Sequence, residues 1–162
     1  MTLSMKVPND AEHVFNILVV DDEPANIDIL LGILSPFYNV KVAPSGPIAL
    51  KIAKQHTPDL ILLDIMMPDM DGFEVCERLK SDAVLSQIPV IFVTALTQGE
   101  SEEKGFKLGA VDYITKPVSP SIALMRVKTH LSLAHQMRTT ENLVAKRTEE
   151  LSKSQQSDRA AR

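Results

Sequence analysis

Polar residues able to do chemistry stand at the ends of apolar runs. Asp21 and Asp22 follow Phe15-Asn16-Ile17-Leu18-Val19-Val20, and Asp64 follows Leu60-Ile61-Leu62-Leu63. Thr94 closes Pro89-Val90-Ile91-Phe92-Val93, and Lys116 follows Val111 to Thr115. Gathered in one crevice, three carboxylates would repel one another, and their pKa values would rise unless a cation neutralised them. An all-oxygen site that retains several waters suits Mg²⁺. Three aspartates, one lysine and one divalent ion sum to zero charge, so such a site can receive an anionic phosphoryl group. The metal and Lys116 would steady the phosphoryl oxygens during in-line transfer to a carboxylate. A carboxylate can itself be the nucleophile, giving an aspartyl phosphate. Asp64 is best placed for that role, with the Asp21-Asp22 pair beside it as metal ligands, and the Thr94 hydroxyl could donate to a phosphoryl oxygen.

Gathering these groups requires a particular set of elements. Leu60–Leu63 is apolar without alternation, as in a strand buried on both faces of a parallel sheet. An Asp at the end of such a strand lies where open α/β sheets bind ligands. The run ending at Val20 reads as a first strand, and Pro24 then opens a helix that buries Ile27, Leu30, Leu31 and Leu34. Ser35-Pro36 ends that helix. Tyr38 to Ala43 alternates polar and apolar, which marks a half-exposed strand at a sheet edge. Ser45-Gly46-Pro47 opens a second helix, running to about His56. Asp71 and Glu74 form a capping-box pattern for a third helix over about 72–82, which buries Phe73, Cys76 and Leu79. After the fourth strand a polar loop, Leu96 to Ser101, leads to a short helix with Gly105 inside it and Gly109 as its C-cap. Ser119-Pro120 starts a last helix with Leu124, Val127, Leu131 and Ala134 in a stripe.

Strands and helices thus alternate five times. This predicts an α/β fold: a doubly wound, five-stranded parallel sheet in the flavodoxin-like order 2-1-3-4-5, with an extended C-terminal helix. In such a sheet all strand C-termini share one edge, so the polar groups above converge. The expected organisation is a loose tail over 1–14, a domain over 15–137 and a helical linker over 138–162. From the end of the domain into the linker, Met137, Val144 and Leu151 repeat at sevenfold spacing, a coiled-coil pattern.

Composition narrows the function classes. With 162 residues, 44% of them apolar, the chain can bury a core. A net charge of -4 and the lack of Trp argue against direct nucleic-acid binding. No apolar run reaches the length of a membrane span, and residues 1–13 carry no signal core. One Cys rules out an internal disulfide and fits the cytoplasm.

In Val19-Val20-Asp21-Asp22-Glu23-Pro24, Leu63-Asp64-Ile65-Met66-Met67-Pro68-Asp69-Met70-Asp71-Gly72, Val93-Thr94-Ala95 and Asp112-Tyr113-Ile114-Thr115-Lys116-Pro117, the chain resembles the receiver domains of bacterial two-component response regulators. The resemblance covers residues 15–137. It implies that Asp64 accepts a phosphoryl group from the phosphohistidine of a partner sensor kinase or phosphotransfer protein. It also implies that Asp22, Asp64 and the Met66 carbonyl ligate Mg²⁺, with Asp21 helping through water. Thr94 would be the switch hydroxyl, Tyr113 the switch aromatic and Lys116 the phosphoryl partner, with Lys116-Pro117 often cis. The output face would comprise the fourth helix, fifth strand and fifth helix, where a homodimer could also form with help from the C-terminal helix. Leu143 to Leu151 resembles linker helices leading from receivers into cyclic-dinucleotide or kinase output domains, so the chain is a stand-alone receiver or part of a longer regulator. Met66 and Leu96 stand two residues after the acceptor and the switch threonine. Neither side chain can orient an attacking water, so slow self-dephosphorylation is expected.

Taken singly, each feature has a plainer reading: Asp21-Asp22 as turn and cap, Lys116-Pro117 as loop, Cys76 and Tyr113 as core. Met66, Met67 and Met70 read as loop packing, and His13, His56, His130 and His135 as surface residues without metal spacing. Only the joint order and spacing point to phosphoacceptor chemistry. A Mg²⁺-dependent phosphohydrolase of the haloacid dehalogenase type would need an Asp where Met66 stands. A receiver that signals without phosphate would not need the full acceptor, metal, Thr and Lys set. The domain is therefore expected to be no enzyme in the ordinary sense, catalysing only its own phosphorylation and dephosphorylation.

Overall fold

The computed structural model describes residues 14–95, 99–137 and 147. The chain divides into two compact units, Met1–Leu131 and Ser132–Arg162. The first holds strands β1 (Asn16–Val20), β2 (Asn39–Ala43), β3 (Leu60–Leu63), β4 (Val90–Thr94) and β5 (Asp112–Thr115). Between them run helices α1 (Pro24–Leu34), α2 (Gly46–Gln55), α3 (Gly72–Lys80) and α4 (Gly99–Lys107), with a 3-10 turn at Leu85–Gln87. Residues 120–131 form α5. In the second unit 132–137 are helical, as is Arg147. The expected N-terminal tail, apart from Val14, and the heptad positions Val144 and Leu151 lie outside the described residues.

All strand pairs are parallel, in the expected order β2-β1-β3-β4-β5. Because side chains alternate across a strand, the same apolar runs supply two cores. Leu18, Val20, Ile61, Leu63 and Phe92 face one side, with Val75, Cys76 and Leu79 of α3 and Ala49 and Ala53 of α2. Ile17, Val19, Leu60, Leu62, Ile91 and Val93 face the other, with Leu30 and Leu34 of α1 and Ala123, Val127 and Leu131 of α5. This two-sided burial explains the unbroken apolar runs of β1, β3 and β4.

Helix starts follow local chemistry. Pro24 opens α1. The Ser45 hydroxyl accepts from the Ile48 N–H at the start of α2, and the Asp71 carboxylate accepts from the Glu74 N–H at the start of α3. Glu74 turns to Arg78 at 3.4 Å. Gly109 follows α4 with φ 104°, the left-handed conformation a C-cap uses.

Four expectations are corrected. On α1 only Leu30 and Leu34 are fully buried, while Ile27 and Leu31 are half-buried. Within α3, Val75 is fully buried and Phe73 only half-buried, because the helix turns its Val75-Cys76-Leu79 stripe to the sheet. The segment read as loop through Ser101 is helical from Gly99 onward. On α5, Ala123 packs into the core alongside Val127 and Leu131, while Leu124 is only partly buried.

Candidate functional site

The site is built by carrying the sheet ladder past the ends of its strands. The Asp21 N–H donates to Ala43 O at 3.2 Å, Asp64 N–H to Val20 O at 2.9 Å, and Lys116 N–H to Thr94 O at 2.9 Å. Each reactive residue is thereby held one step beyond an aligned strand end. Val20 stands level with both Ala43 and Leu63, and Thr94 with Thr115. The backbone thus fixes where these side chains emerge.

The loop after β3 then folds back over Asp64. The Gly72 N–H donates to Ile65 O at 2.8 Å. A Cβ at Gly72 would collide with the backbone oxygen of Asp64, so only glycine allows this close return of the chain.

Carboxylate oxygens of Asp21, Asp22 and Asp64 lie within 4.8 Å of one another. Asp21 is 1% and Asp64 5% exposed, and Asp22 is half-buried. Lys116 Nζ donates to Asp21 Oδ2 at 2.9 Å and stands 3.5 Å from Asp64 Oδ1. The other Asp21 oxygen accepts from the Glu23 N–H at 2.9 Å.

Burial, and secondly the Asp21 charge, push the Asp64 carboxyl up to about 6. Lys116 and the Met66 N–H pull it down, but not enough to offset them. Burial alone would lower the Lys116 pKa, yet its hydrogen bond to Asp21 and the Asp64 charge outweigh that and raise it. One ammonium therefore undercompensates two buried carboxylates with a third alongside. The donor set is hard oxygen with excess negative charge, which fits a divalent cation such as Mg²⁺.

Thr94 is 1% exposed at the end of β4, on the same rim. Tyr113 is buried on β5 among aromatic rings. Its centroid is 5.5 Å from that of Phe92 and 5.3 Å from that of Phe106, and Phe73 lies 5.5 Å from Phe92 on the other side. The peptide bond Lys116-Pro117 is cis. The Met66 side chain is 64% exposed, whereas Met67 is buried and Met70 packs on the core. Leu96 lies outside the described residues. Cys76 is fully buried, its Sγ 3.7 Å from Leu108 O.

One cluster was not anticipated from the sequence. Asp112, at the start of β5, accepts from Arg126 Nη1 at 2.7 Å and pairs with His130 Nε2 at 2.9 Å. His130 is therefore half-buried in an ion cluster, not a plain surface residue. Arg126 and His130 are four apart on α5 and share a helix face, a signal visible in the sequence once an acidic partner is sought there.

An acidic pocket and a lysine on the carboxyl rim of a 2-1-3-4-5 parallel sheet define the receiver class of doubly wound α/β domains. A model of the response regulator receiver domain matches residues 17–128, and the chain belongs to that family. It is 49% identical over 115 residues to a Vibrio cholerae protein named probable cyclic di-GMP phosphodiesterase, covering 71% of this chain and 26% of that protein. It is 45% identical over 114 residues to response regulator PleD of Caulobacter vibrioides, covering 70% and 25%. Both matches span about a quarter of the relative's length. Among solved structures, a CheY-like response regulator receiver domain protein from Methanospirillum hungatei aligns with a TM-score of 0.72 at 30% identity, over 77% of this chain and 99% of that one. As a receiver domain of response regulators, the chain serves phosphorelay signalling.

Proposed function

We propose that Asp64 is the phosphoacceptor, and that the surrounding groups make it a self-phosphorylating switch. The observation that carries this reading is the juxtaposition of the Asp64 carboxylate, 3.5 Å from the Lys116 ammonium, with the carboxylates of Asp21 and Asp22. An Asp64 oxygen attacks the phosphorus of a phosphohistidine on a sensor kinase or phosphotransfer partner. The new P–O bond forms as the P–N bond breaks, and the electron pair leaves on the imidazole nitrogen. Asp22, Asp64 and the Met66 carbonyl would hold Mg²⁺, with Asp21 helping through water; the bound ion would neutralise charge on the phosphoryl oxygens. Lys116 is placed to pair with the incoming phosphoryl group, and the Thr94 hydroxyl to donate to it. Only the chain's own phosphorylation and dephosphorylation are catalysed.

The product carries about one more negative charge than the carboxylate it replaces. Thr94 moving toward that charge would favour the inward position that Tyr113 occupies here over an outward one, and so change the face formed by α4, β5 and α5. That face is the proposed output surface and the site of homodimerisation, aided by the C-terminal helix. The name of the Vibrio cholerae relative, and the quarter of each relative's length that is matched, favour a place within a longer regulator of cyclic-dinucleotide metabolism, with the receiver over 15–137 and a linker over 138–162. Among the described residues no helix is long and apolar enough to cross a membrane, which fits cytoplasmic work.

Intact-mass measurement with a small phosphodonor and Mg²⁺ tests the reading. One stable adduct that Asp64→Asn abolishes is expected. Steady phosphate release without an adduct would support a hydrolase, and neither adduct nor release a receiver that signals without phosphate.

A further inference from the structure

We infer that Gly105, inside α4, is the seat that admits the Tyr113 ring to its inward position, so that this one glycine ties α4 to β5. The inference deepens the switch role proposed for Tyr113 and rests on it. Glycine is a poor helix former, losing more backbone freedom than alanine on folding. Only Gly109, among the glycines of the described residues, has a positive φ, so no backbone twist requires glycine at 105. The requirement is room.

A Cβ at Gly105 would fall on the Tyr113 hydroxyl oxygen and would come within 2.9 Å of Tyr113 Cζ and 3.0 Å of Phe92 Cε2. Phe92 is fully buried and is packed between the Phe73 and Tyr113 rings, so it has little freedom to retreat. The phenol also makes a hydrogen bond with the Gly105 backbone, so the glycine holds the ring as well as making space for it. A displaced ring has somewhere to go. Beside it lies a groove of about 320 Å³ lined by Glu102, Phe106, Ile122 and Arg126. A methyl group at position 105 therefore shifts Tyr113 from the inward to the outward position. Gly32 in α1 offers the control, since nothing lies within 4 Å of a Cβ built there.

The protein has two tyrosines and no tryptophan, so Tyr38→Phe leaves Tyr113 as the sole emitter. In that background, acrylamide quenching of tyrosine emission should rise about twofold or more in Gly105→Ala as the ring population moves outward, and stay level in Gly32→Ala. Quenching unchanged by Gly105→Ala overturns the inference. A thermal-melt cycle guards against general loosening of the fold. Gly105→Ala should lower the midpoint with Tyr113 present, and leave it level or raise it in Tyr113→Ala, where the methyl group fills vacated space. An equal loss in both backgrounds also overturns the inference. Wild-type quenching that ignores Mg²⁺ plus a phosphate mimic would count instead against Tyr113 as the switch, while the Gly105→Ala response would still establish the seat.

Discussion

Replacing Asp64 by Asn should stabilise the metal-free protein. Asp64 is 5% exposed, and its carboxyl is pushed from 3.8 to about 6 by burial and by Asp21. The folded state thus binds a proton more tightly than the unfolded chain. Below about pH 4 the group is protonated in both states and costs nothing. As pH rises from about 4 through 6 the unfolded chain releases its proton first, so wild-type stability falls across that window. At about 1.4 kcal/mol for each tenfold difference in proton affinity, keeping Asp64 ionised inside the fold at pH 7.5 costs about 3 kcal/mol. The amide of Asn can still accept from the Met66 N–H but carries no charge. Against a typical domain stability of about 5–15 kcal/mol, the gain is easily measured. Urea unfolding of wild type and Asp64→Asn in chelator, from pH 4 to 8, gives the comparison. The two curves should lie closest near pH 4 and separate as pH rises, with the variant more stable by about 1–3 kcal/mol at pH 7.5. A variant equal to or weaker than wild type at pH 7.5 would refute the claim that uncompensated charge is stored at this rim.

Other consequences can be checked alongside. Asp22→Ala should weaken Mg²⁺ binding, followed by calorimetry, by about tenfold or more, since it removes one of three clustered carboxylates. Gly72→Ala should cost about 2 kcal/mol or more in denaturant unfolding, because its methyl group meets the Asp64 backbone oxygen and neither can yield. The purified phosphoprotein should persist for about minutes or longer by intact mass, since the exposed Met66 side chain cannot orient water. Met66→Asn, which can hydrogen-bond a water, should shorten that lifetime. Asp112→Asn should destabilise the fold at neutral pH. Burial opposes the Asp112 charge, but His130, the Tyr113 N–H and Arg126 together hold its pKa below the usual carboxylate range. That stability is therefore present above the ordinary carboxylate value, and the difference between variant and wild type should shrink as pH falls through the lowered pKa.

What the sequence made legible follows from the architecture. In a parallel sheet, strand ends share an edge by construction, so Asp21, Asp22, Asp64 and Lys116 could be placed together from local patterns alone. The edge position of β2 was equally readable, because its alternation reflects one-sided burial. Less legible were features decided by packing between distant segments. Phe73 and Val75 are both apolar on α3, and only the rotation of the helix on the sheet determines which is fully buried. Asp112 meets Arg126 and His130 across a loop, a pairing no short-range periodicity encodes. The sequence shows Gly105 only as a glycine inside a helix, because the ring that needs its space comes from a strand, β5.

The central claim is that a phosphoryl group is received by one carboxylate among the several on this rim. Its most direct test is to treat the protein with a small phosphodonor and Mg²⁺, reduce the acyl phosphate with borohydride, and map the product by peptide mass. The Asp64 side chain should be reduced to an alcohol, at that position alone. Reduction at Asp21 or Asp22 with Asp64 intact would contradict it.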